Sequence, residues 1–233
     1  MNPPHAMILA AGRGERLRPL TDRIPKPLIP VQGRPVLVYT LLRLAKMGIT
    51  QIVINAHHLA EQLMEQIGNG EQWGVELSWS REEQCLDTGG GIVNALHLMD
   101  PQEPFLVVNG DILWNLDLQP LLQSFDRQRM DGLLGLVPPL EAESGDFLYT
   151  PHTHRLQRAK KHPQALTYAG ILLVSPAALA PYPNTPFSLN RFFDDALQQD
   201  RLRGLPLQGG WADMGTPQRL ANCEKMTWIP EGV

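Results

Sequence analysis

The feature that most constrains the fold of this chain is a short apolar run that breaks into a basic, glycine-containing loop. Residues 6–11 are apolar and lead directly into Gly12 and Gly14. From Gly12 to Arg34 there are six basic residues against two acidic ones, although the formal net charge of the chain is −4. A buried strand that delivers such a loop is typical of α/β folds that bind phosphate. The sequence therefore predicts a small anionic ligand at this loop.

Composition argues against several other classes of protein. The pI of about 6.0 and the lack of a long basic stretch disfavour a nucleic-acid partner. No apolar run approaches the roughly 18 residues of a membrane span, and the first residues do not resemble a signal peptide. Cys85 and Cys223 lie far apart, without the spacing of a disulfide framework or a zinc site. We expect a cytoplasmic protein with no membrane or nucleic-acid partner.

Hydrophobic periodicity predicts the fold class. Short apolar runs near residues 52–54 and 104–108, and a segment at 75–80 in which apolar and polar residues alternate, are interspersed with segments of helical spacing. This alternation is typical of α/β proteins whose sheets are covered by helices on both faces. We predict a Rossmann-like, mostly parallel mixed sheet flanked by helices, within a single domain over residues 1–233.

The second half of the chain includes a polar excursion. Residues 138–163 are rich in proline and histidine, and we predict a small β-hairpin there, with strands at Phe147–Thr150 and Arg155–Arg158. Helices are predicted over 118–130 and 187–199. The last strand is predicted near 208–212.

The first loop and the lysine that follows it have the composition of a phosphate site. Gly12 and Gly14 lack the third glycine of a dinucleotide fingerprint and the Lys-Ser/Thr of a P-loop. Glycines let backbone N–H groups approach a phosphate, and an arginine such as Arg16 can bind two of its oxygens. Lys26 stands between Pro25 and Pro27, which restrict its backbone. A charge positioned in this way suits a phosphoryl group that gains charge during a reaction.

A triple glycine, residues 89–91, opens a predicted helix. Such a segment permits close approach of a flat base or a sugar to free helical N–H groups. Glu82 and Glu83 lie just upstream and could accept a hydrogen bond from a base edge. A carboxylate accepts from uracil N3–H and equally from guanine N1–H and N2–H₂. The glutamates therefore leave the base open.

Two aspartates are candidate metal ligands. Asp111 lies just past the end of an apolar strand, where open α/β sheets bind their ligands. Mg²⁺ takes one or two carboxylates and completes its shell with water and substrate phosphates. Asp213 lies in a similar context near the C-terminus and is the candidate second carboxylate. His57 and His58 have no carboxylate or cysteine at a metal spacing, so we predict no metal site there.

Five motifs in this order resemble the sugar-1-phosphate nucleotidyltransferases. They are residues 9–21 (LAAGRGERLRPLT), 25–28 (PKPL), 87–91 (DTGGG), 109–111 (NGD) and 213–216 (DMGT). The short length, without a C-terminal β-helix, and the Thr-Gly-Gly-Gly form are most similar to the N-acetylmuramate 1-phosphate uridylyltransferases of bacterial cell-wall recycling. Short mannose-1-phosphate guanylyltransferases are close relatives of that group.

The resemblance implies a role for each matching residue. The nucleotide would be bound by Ala10, Ala11, Gly12, Arg13, Gly14, Glu82, Thr88 and Gly89. The sugar phosphate would face Asn109, Gly145, Asp146 and Gly170. Lys26, Arg16 and Asp111 would carry the catalysis, and Asp111 and Asp213 would hold Mg²⁺. Longer relatives have a Glu-Lys-Pro triplet near the sugar, whereas residues 157–161 here read QRAKK, so the cation that meets the sugar phosphate stays open.

The expected reaction joins a nucleoside triphosphate to a sugar 1-phosphate and releases pyrophosphate. The first expectation is UTP with N-acetylmuramate 1-phosphate. The alternative is GTP with mannose 1-phosphate or another hexose or heptose 1-phosphate. A non-catalytic, nucleotide-binding regulatory protein is a more remote alternative, and the presence of both Asp111 and Asp213 argues against it.

Overall fold

The computed structural model describes residues 3–140, 144–159 and 161–229. The strands of these residues are β1 (Ala6–Leu9), β2 (Pro30–Val31), β3 (Arg34–Pro35), β4 (Gln51–Ala56), β5 (Glu76–Arg81), β6 (Phe105–Asn109), β7 (Ile112–Trp114), β8 (Gly132–Val137), β9 (Phe147–Thr150), β10 (Arg155–Arg158), β11 (Thr167–Val174), β12 (Leu202–Pro206) and β13 (Trp211–Asp213). The α-helices are α1 (Val36–Lys46), α2 (Ala60–Ile67), α3 (Asp87–Ala95), α4 (Gln119–Ser124), α5 (Pro176–Leu179), α6 (Leu189–Gln198) and α7 (Pro217–Cys223).

A nine-stranded mixed sheet organises the molecule. Its order is β5-β4-β1-β6-β11-β8-β12-β10-β9. The first four strands pair in parallel, whereas β11 is antiparallel to both of its neighbours, β6 and β8. Two short sheets, β13 with β7 and β2 with β3, lie outside it. This arrangement confirms the predicted Rossmann-like α/β fold with a mixed sheet.

Helices cover both faces of the sheet because the central strands are buried on both sides. Ile8 of β1 packs in one core cluster with residues of α1 and α2, including Leu41 and Leu63. Met7, its neighbour in sequence, packs in a second cluster with residues of α3 and α6, including Phe192. Successive side chains of a strand point to opposite faces, so a continuous apolar strand fills two cores.

The carboxyl ends of β1, β4 and β6 meet at one edge of the sheet. These strands are neighbours and run in parallel, so the segments that follow them emerge side by side. They are the loop at residues 10–14, the segment 55–58 and the segment 109–111. Parallel α/β sheets bind their ligands at this edge.

The predicted hairpin is present and extends the main sheet. β9 and β10 have the predicted bounds and pair from Arg155↔Thr150 to Arg158↔Phe147. Arg155 also pairs with Arg203 of β12, so the hairpin forms the edge of the nine-stranded sheet and does not stand apart from it. Residues 141–143 and Lys160 of the predicted excursion lie outside the described residues.

Some predicted boundaries differ from the structure. The helix predicted over 118–130 ends at Ser124, because Phe125 is extended and the Asp126 carboxylate accepts a hydrogen bond from Gln128 N at 2.9 Å. Asx turns of this kind compete with a helix. The single domain over residues 1–233 stays a prediction. Among the described residues, no helix is long and apolar enough to cross a membrane.

Candidate active site

The loop at residues 10–14 presents a row of backbone donors. Within the described residues, the N–H groups of residues 11–14 donate no hydrogen bond. Gly14 has φ of 65°, and a Cβ there would lie 2.8 Å from Thr21 Cγ2. Glycine is therefore required at position 14 for both its conformation and its space. Successive free N–H groups of this kind form an anion-binding site.

Hydrogen bonds hold the loop at both ends. Ala10 N donates to Asn55 Oδ1 at 2.7 Å, and the Thr21 hydroxyl donates to Gly14 O at 3.0 Å. His58 Nε2 donates in turn to Thr21 O at 2.8 Å. The loop is thus fixed by neighbouring side chains while its central donors stay open.

Two adjoining clefts border this loop. The first cleft has a volume of about 230 Å³. The residues that line it are Leu9, Ala10, Ala11, Gly12, Lys26, Pro27, Asn55, Cys85, Asp87, Thr88, Asn109 and Asp111. The second cleft has a volume of about 310 Å³, and it is lined by Gly12, Gly14, Glu15, Arg16, Lys26, Asp111 and Gly215. The clefts share Gly12, Lys26 and Asp111.

Lys26 lies at the junction of the two clefts. It begins a single 3₁₀ turn, Lys26–Leu28, whose Leu28 N donates to Pro25 O at 2.8 Å. The residue is only 8% exposed, and its ammonium group donates to Asp111 Oδ2 in an ion pair. A buried charge is stable only when it is paired and hydrogen-bonded. Asp111 therefore holds the Lys26 charge in place between the clefts.

The second aspartate lies beside the first. Asp213 of β13 pairs with Ile112 of β7, the residue after Asp111, and Met214 N donates to Asp111 O at 3.3 Å. Asp213 Oδ1 accepts from Gly215 N, and Oδ2 accepts from Arg219 Nη1 at 2.6 Å. The short sheet formed by β7 and β13 thus brings the backbones of Asp111 and Asp213 together, although the two residues lie about a hundred positions apart in the sequence.

The charge of Asp213 is also felt at its neighbour Cys223. Burial, together with the carboxylates of Asp213 and Glu224, raises the pKa of the Cys223 thiol to about 11. Arg16 approaches the same place from the second cleft, since a Cβ on Gly215 would lie 2.8 Å from Arg16 Nη2. The region around Gly215 therefore concentrates charges of both signs.

The two carboxylates fit the chemistry of Mg²⁺. Mg²⁺ commonly takes one or two carboxylates and keeps water and substrate phosphates as its other ligands. No group of three or more His, Cys, Asp or Glu side chains that could enclose a metal ion is found in the described parts of the chain. Asp111, which lines both clefts, matches the Mg²⁺ pattern, whereas Asp213 lines neither cleft and its role as a metal ligand stays a prediction.

Two glycines of the triple glycine, Gly89 and Gly90, are in close contact with another part of the chain, whereas the sequence predicted close approach of a base or a sugar. Gly89 N and Gly90 N both donate to Phe187 O, at 2.9 and 3.2 Å, so they are not free for a ligand. A Cβ on Gly89 would lie 2.3 Å from the Phe187 ring, and one on Gly90 would lie 2.4 Å from Thr185 O. The glycines thus let segment 185–187 pack closely on α3. Gly89 lines neither cleft, whereas Thr88 lines the first.

Glu82 and Glu83 occupy different environments. Glu82 is 4% exposed and lines neither cleft. Its Oε1 accepts from Asn55 Nδ2 at 2.7 Å, and its Oε2 accepts from Leu86 N at 3.0 Å. Glu83 is exposed. The predicted contact between Glu82 and a base stays a prediction, and in this structure the carboxylate is buried, away from both clefts, with one internal donor on each oxygen.

The four predicted sugar residues do not all reach the clefts. Asn109 lines the first cleft, and its side chain packs against Gly170, where a Cβ would lie 2.9 Å from Asn109 Nδ2. Gly145 is buried against Ala165, and Asp146 Oδ2 accepts from Tyr168 N at 2.9 Å. Gly145, Asp146 and Gly170 line neither cleft. Their contact with a sugar phosphate stays a prediction.

Among the basic residues of the QRAKK segment, Arg158 already has partners within the protein. Its guanidinium pairs with Asp194 at 2.8 Å and lies 4.7 Å from the centre of the Phe147 ring. Lys160 lies outside the described residues. The cation that meets the sugar phosphate therefore stays open.

Sequence reasoning assigned no site role to five residues that line the first cleft: Leu9, Pro27, Asn55, Cys85 and Asp87. Asn55 follows the apolar residues of β4, and a polar residue at the end of a parallel strand is a usable signal. Asp87 has φ of 58° and accepts hydrogen bonds from Thr88 N and Thr88 Oγ1 at 2.6 and 3.2 Å. No sequence signal singles out Cys85, which is exposed at the cleft.

Comparison with known proteins identifies the family. The sequence model of the nucleotidyl transferase family matches residues 5–227. The chain belongs to the nucleotidyl transferase family. This result confirms the family resemblance predicted from the motifs and the prediction of an enzyme of the nucleotidyltransferase class.

Individual members of the nucleotidyl transferase family are similar over most of the chain. N-acetylmuramate alpha-1-phosphate uridylyltransferase of Neisseria meningitidis is 37% identical over 226 residues, which are 95% of this chain and 97% of the relative. Mannose-1-phosphate guanyltransferase beta-B of Xenopus laevis is 30% identical over 91% of this chain, and the match spans 61% of that relative. A crystal structure of a putative glucose-1-phosphate thymidylyltransferase from Bacillus anthracis superposes with a TM-score of 0.83 at 19% identity, covering 98% of this chain and 97% of that one, and supports the fold.

Proposed function

We propose that this chain transfers a nucleotidyl group from a nucleoside triphosphate to a sugar 1-phosphate. The observation that carries the proposal is the position of Lys26, buried at the junction of two clefts and directly paired with Asp111. The two clefts adjoin each other at Gly12, Lys26 and Asp111, and the two substrates would meet there. A lysine at their junction is where a phosphoryl centre common to both substrates would lie.

In the proposed reaction, a phosphate oxygen of the sugar 1-phosphate attacks the α-phosphorus of the triphosphate. A bond forms between that oxygen and the α-phosphorus, and the bond from the α-phosphorus to the bridging oxygen of the β-phosphate breaks. Pyrophosphate leaves, and no covalent enzyme intermediate is required. Catalysis then depends on positioning and on charge stabilisation.

The chain's own groups supply both effects in this proposal. The free N–H groups of residues 11–14 and the Arg16 guanidinium bind the phosphates of the nucleotide. Lys26 stabilises the charge that grows at the α-phosphate. Thr88 and Asn109, which line the first cleft, contact the nucleoside and the sugar phosphate respectively.

Asp111 and Asp213 would hold Mg²⁺ in this scheme. When bound, the ion would neutralise phosphate charge and orient the phosphate oxygens. Lys26 and Arg219 already pair with these two carboxylates, so the acidic oxygens are held in place before any ion arrives.

For the substrates, we propose UTP and N-acetylmuramate 1-phosphate. The support is the 37% identity to the uridylyltransferase of Neisseria meningitidis, which matches over almost its whole length. GTP with mannose 1-phosphate is the second candidate, supported by the 30% identity to the guanyltransferase of Xenopus laevis. The first pair would place the enzyme in cell-wall recycling, in the cytoplasm where UTP is made available.

Pyrophosphate release tests the function directly. The protein is mixed with Mg²⁺, with each of four nucleoside triphosphates and with a panel of sugar 1-phosphates. We expect release that requires both substrates and is fastest with UTP and N-acetylmuramate 1-phosphate. Release fastest with GTP and mannose 1-phosphate would overturn the substrate pair, and no release from any combination would overturn the function.

The Asp111→Asn variant tests the role of the shared carboxylate. We expect turnover to fall by about 10²-fold to 10³-fold, the scale for loss of one principal electrostatic group. Asp100→Asn is the control, since Asp100 is an exposed loop residue that accepts a hydrogen bond from Gln102 N. Turnover within about threefold of the unmodified enzyme in Asp111→Asn would contradict its role.

A further inference from the structure

We infer that Asn55 and Glu82 are positioning residues that hold the first residue of the nucleotide loop, Ala10, in place, and that Glu82 does not read the base. The inference deepens the proposed function and rests on it for the identity of the loop's ligand. The contacts that carry it are internal to the protein.

The pair connects the two segments that border the first cleft. Asn55, at 2% exposure, accepts from Ala10 N at 2.7 Å and donates to Glu82 Oε1 at 2.7 Å. Glu82 Oε2 accepts from Leu86 N, directly before α3, at 3.0 Å. One continuous chain of hydrogen bonds therefore runs from the start of the nucleotide loop to the start of α3.

A carboxylate at position 82 fixes the orientation of the asparagine. An ionised carboxylate can only accept hydrogen bonds, whereas an amide both donates and accepts. Asn55 must therefore turn its NH₂ group toward Glu82, which leaves its oxygen facing Ala10 N–H. With glutamine at position 82, only one of the two oxygens would remain, and an NH₂ group would face either Asn55 Nδ2 or Leu86 N–H.

The absence of a side chain at Gly91 leaves the space that the Asn55–Glu82 pair occupies. A Cβ at this position would lie 2.7 Å from Asn55 Nδ2 and 2.7 Å from Glu82 Oε1. Any side chain there would displace the pair. The third glycine of the DTGGG motif is thus explained by the space that these two side chains require.

The consequence concerns both binding and base selectivity. Ala10 N–H is consumed by Asn55, so the donors left for a nucleotide begin at residue 11. Glu82 is 4% exposed, lines neither cleft and has an internal donor on each oxygen, so its carboxylate would not meet uracil N3–H or guanine N1–H. Loss of the pair should weaken binding of every nucleoside triphosphate and leave the preference between bases unchanged.

Hydrogen exchange and kinetics of Glu82→Gln and Asn55→Ala test this inference. Amide exchange at Ala10 should become at least about tenfold faster in both variants, because its acceptor is lost or misoriented. The KM for the triphosphate should rise about tenfold, while kcat changes less than about threefold and the ratio of kcat/KM for UTP to that for GTP stays constant. Gln51→Ala is the matched control, because Gln51 bridges the same two strands to Glu76 at 2.6 Å on the exposed surface.

The outcomes separate the inference from the proposed function. Unchanged exchange at Ala10 in both variants would overturn the inference, and so would a shift of the UTP-to-GTP ratio of more than about tenfold in Glu82→Gln. If Glu82→Gln does not fold, Asn55→Ala decides by the same measurements. The exchange experiment needs no turnover. If the unmodified protein releases no pyrophosphate but exchange at Ala10 is faster in the variants, the proposed function is refuted and the positioning role stands.

Discussion

Two glycine-containing segments, residues 12–14 and 87–91, contribute residues to the first cleft, and Gly12 of the one has surroundings opposite to those of Gly90 in the other. No heavy atom lies within 4 Å of a Cβ built on Gly12, and the N–H groups of residues 11–14 have no acceptor in the described parts of the chain. In the second segment, a Cβ on Gly90 would lie 2.4 Å from Thr185 O, and the Gly90 N–H is bound to Phe187 O. The first segment is open toward a ligand, whereas the second is packed against protein.

The difference shows that one compositional signal can have two physical causes. Both segments predicted close approach of a ligand, because glycine removes the side chain that would prevent it. In the second segment, the group that approaches is the chain itself, at residues 185–187. Glycine-rich turns therefore predict close contact and do not by themselves identify the partner.

The largest expected effect is the loss of kcat when Lys26, which lines both clefts beside the open segment, is replaced. Lys26→Ala removes the buried charge that lines both clefts together with Gly12, and we expect kcat to fall by about 10²-fold to 10³-fold. Steady-state pyrophosphate release measures the loss. Lys46→Ala is the control, since Lys46 is an exposed lysine at the end of α1. A loss smaller than about tenfold in Lys26→Ala would mean that the open segment works without this charge.

Much of the fold was predictable because its signals are local. β6 and β11 are continuous apolar runs, and both hairpin strands were predicted with their observed bounds. β12 was missed because its sequence, LRGLP, contains glycine and proline, which disfavour strands. It forms a strand through pairing with β8 on one side and β10 on the other, and such tertiary pairing has no local signal.

The candidate site was predictable in its charges and not in its supporting contacts. Lys26 and Asp111 were singled out by proline spacing and by position at a strand end, and the structure brings them into contact. The partners of Glu82 were unpredictable, because Asn55 lies on another strand and Leu86 N is a backbone group. Sequence shows that a carboxylate is present but not which donors will occupy its oxygens.

A second prediction tests the packed segment. Gly90→Ala should lower the free energy of unfolding by about 1–2 kcal/mol, because crowding against the Thr185 carbonyl outweighs the roughly 1 kcal/mol gain in helix propensity. Urea denaturation at equilibrium measures this change. A higher free energy of unfolding combined with weaker nucleotide binding would contradict the packing explanation and would support contact between this segment and the nucleotide.

The smallest expected effect is that of Gly12→Ala in the open segment. In contrast to Gly90→Ala, we expect it to change nucleotide binding and not the stability of the fold. Gly12→Ala should leave the free energy of unfolding within about 0.5 kcal/mol, since the new methyl group meets no protein atom. Gly12 lines both clefts, so the methyl group occupies space that we assign to the nucleotide. We expect the KM for the triphosphate to rise about tenfold, the scale of 1.4 kcal/mol in binding. Gly12→Ala and Gly90→Ala thus serve as controls for each other in the same two assays. If Gly12→Ala destabilises the fold as much as Gly90→Ala does, or if it leaves nucleotide binding unchanged, then the two segments do not differ in the way their surroundings indicate.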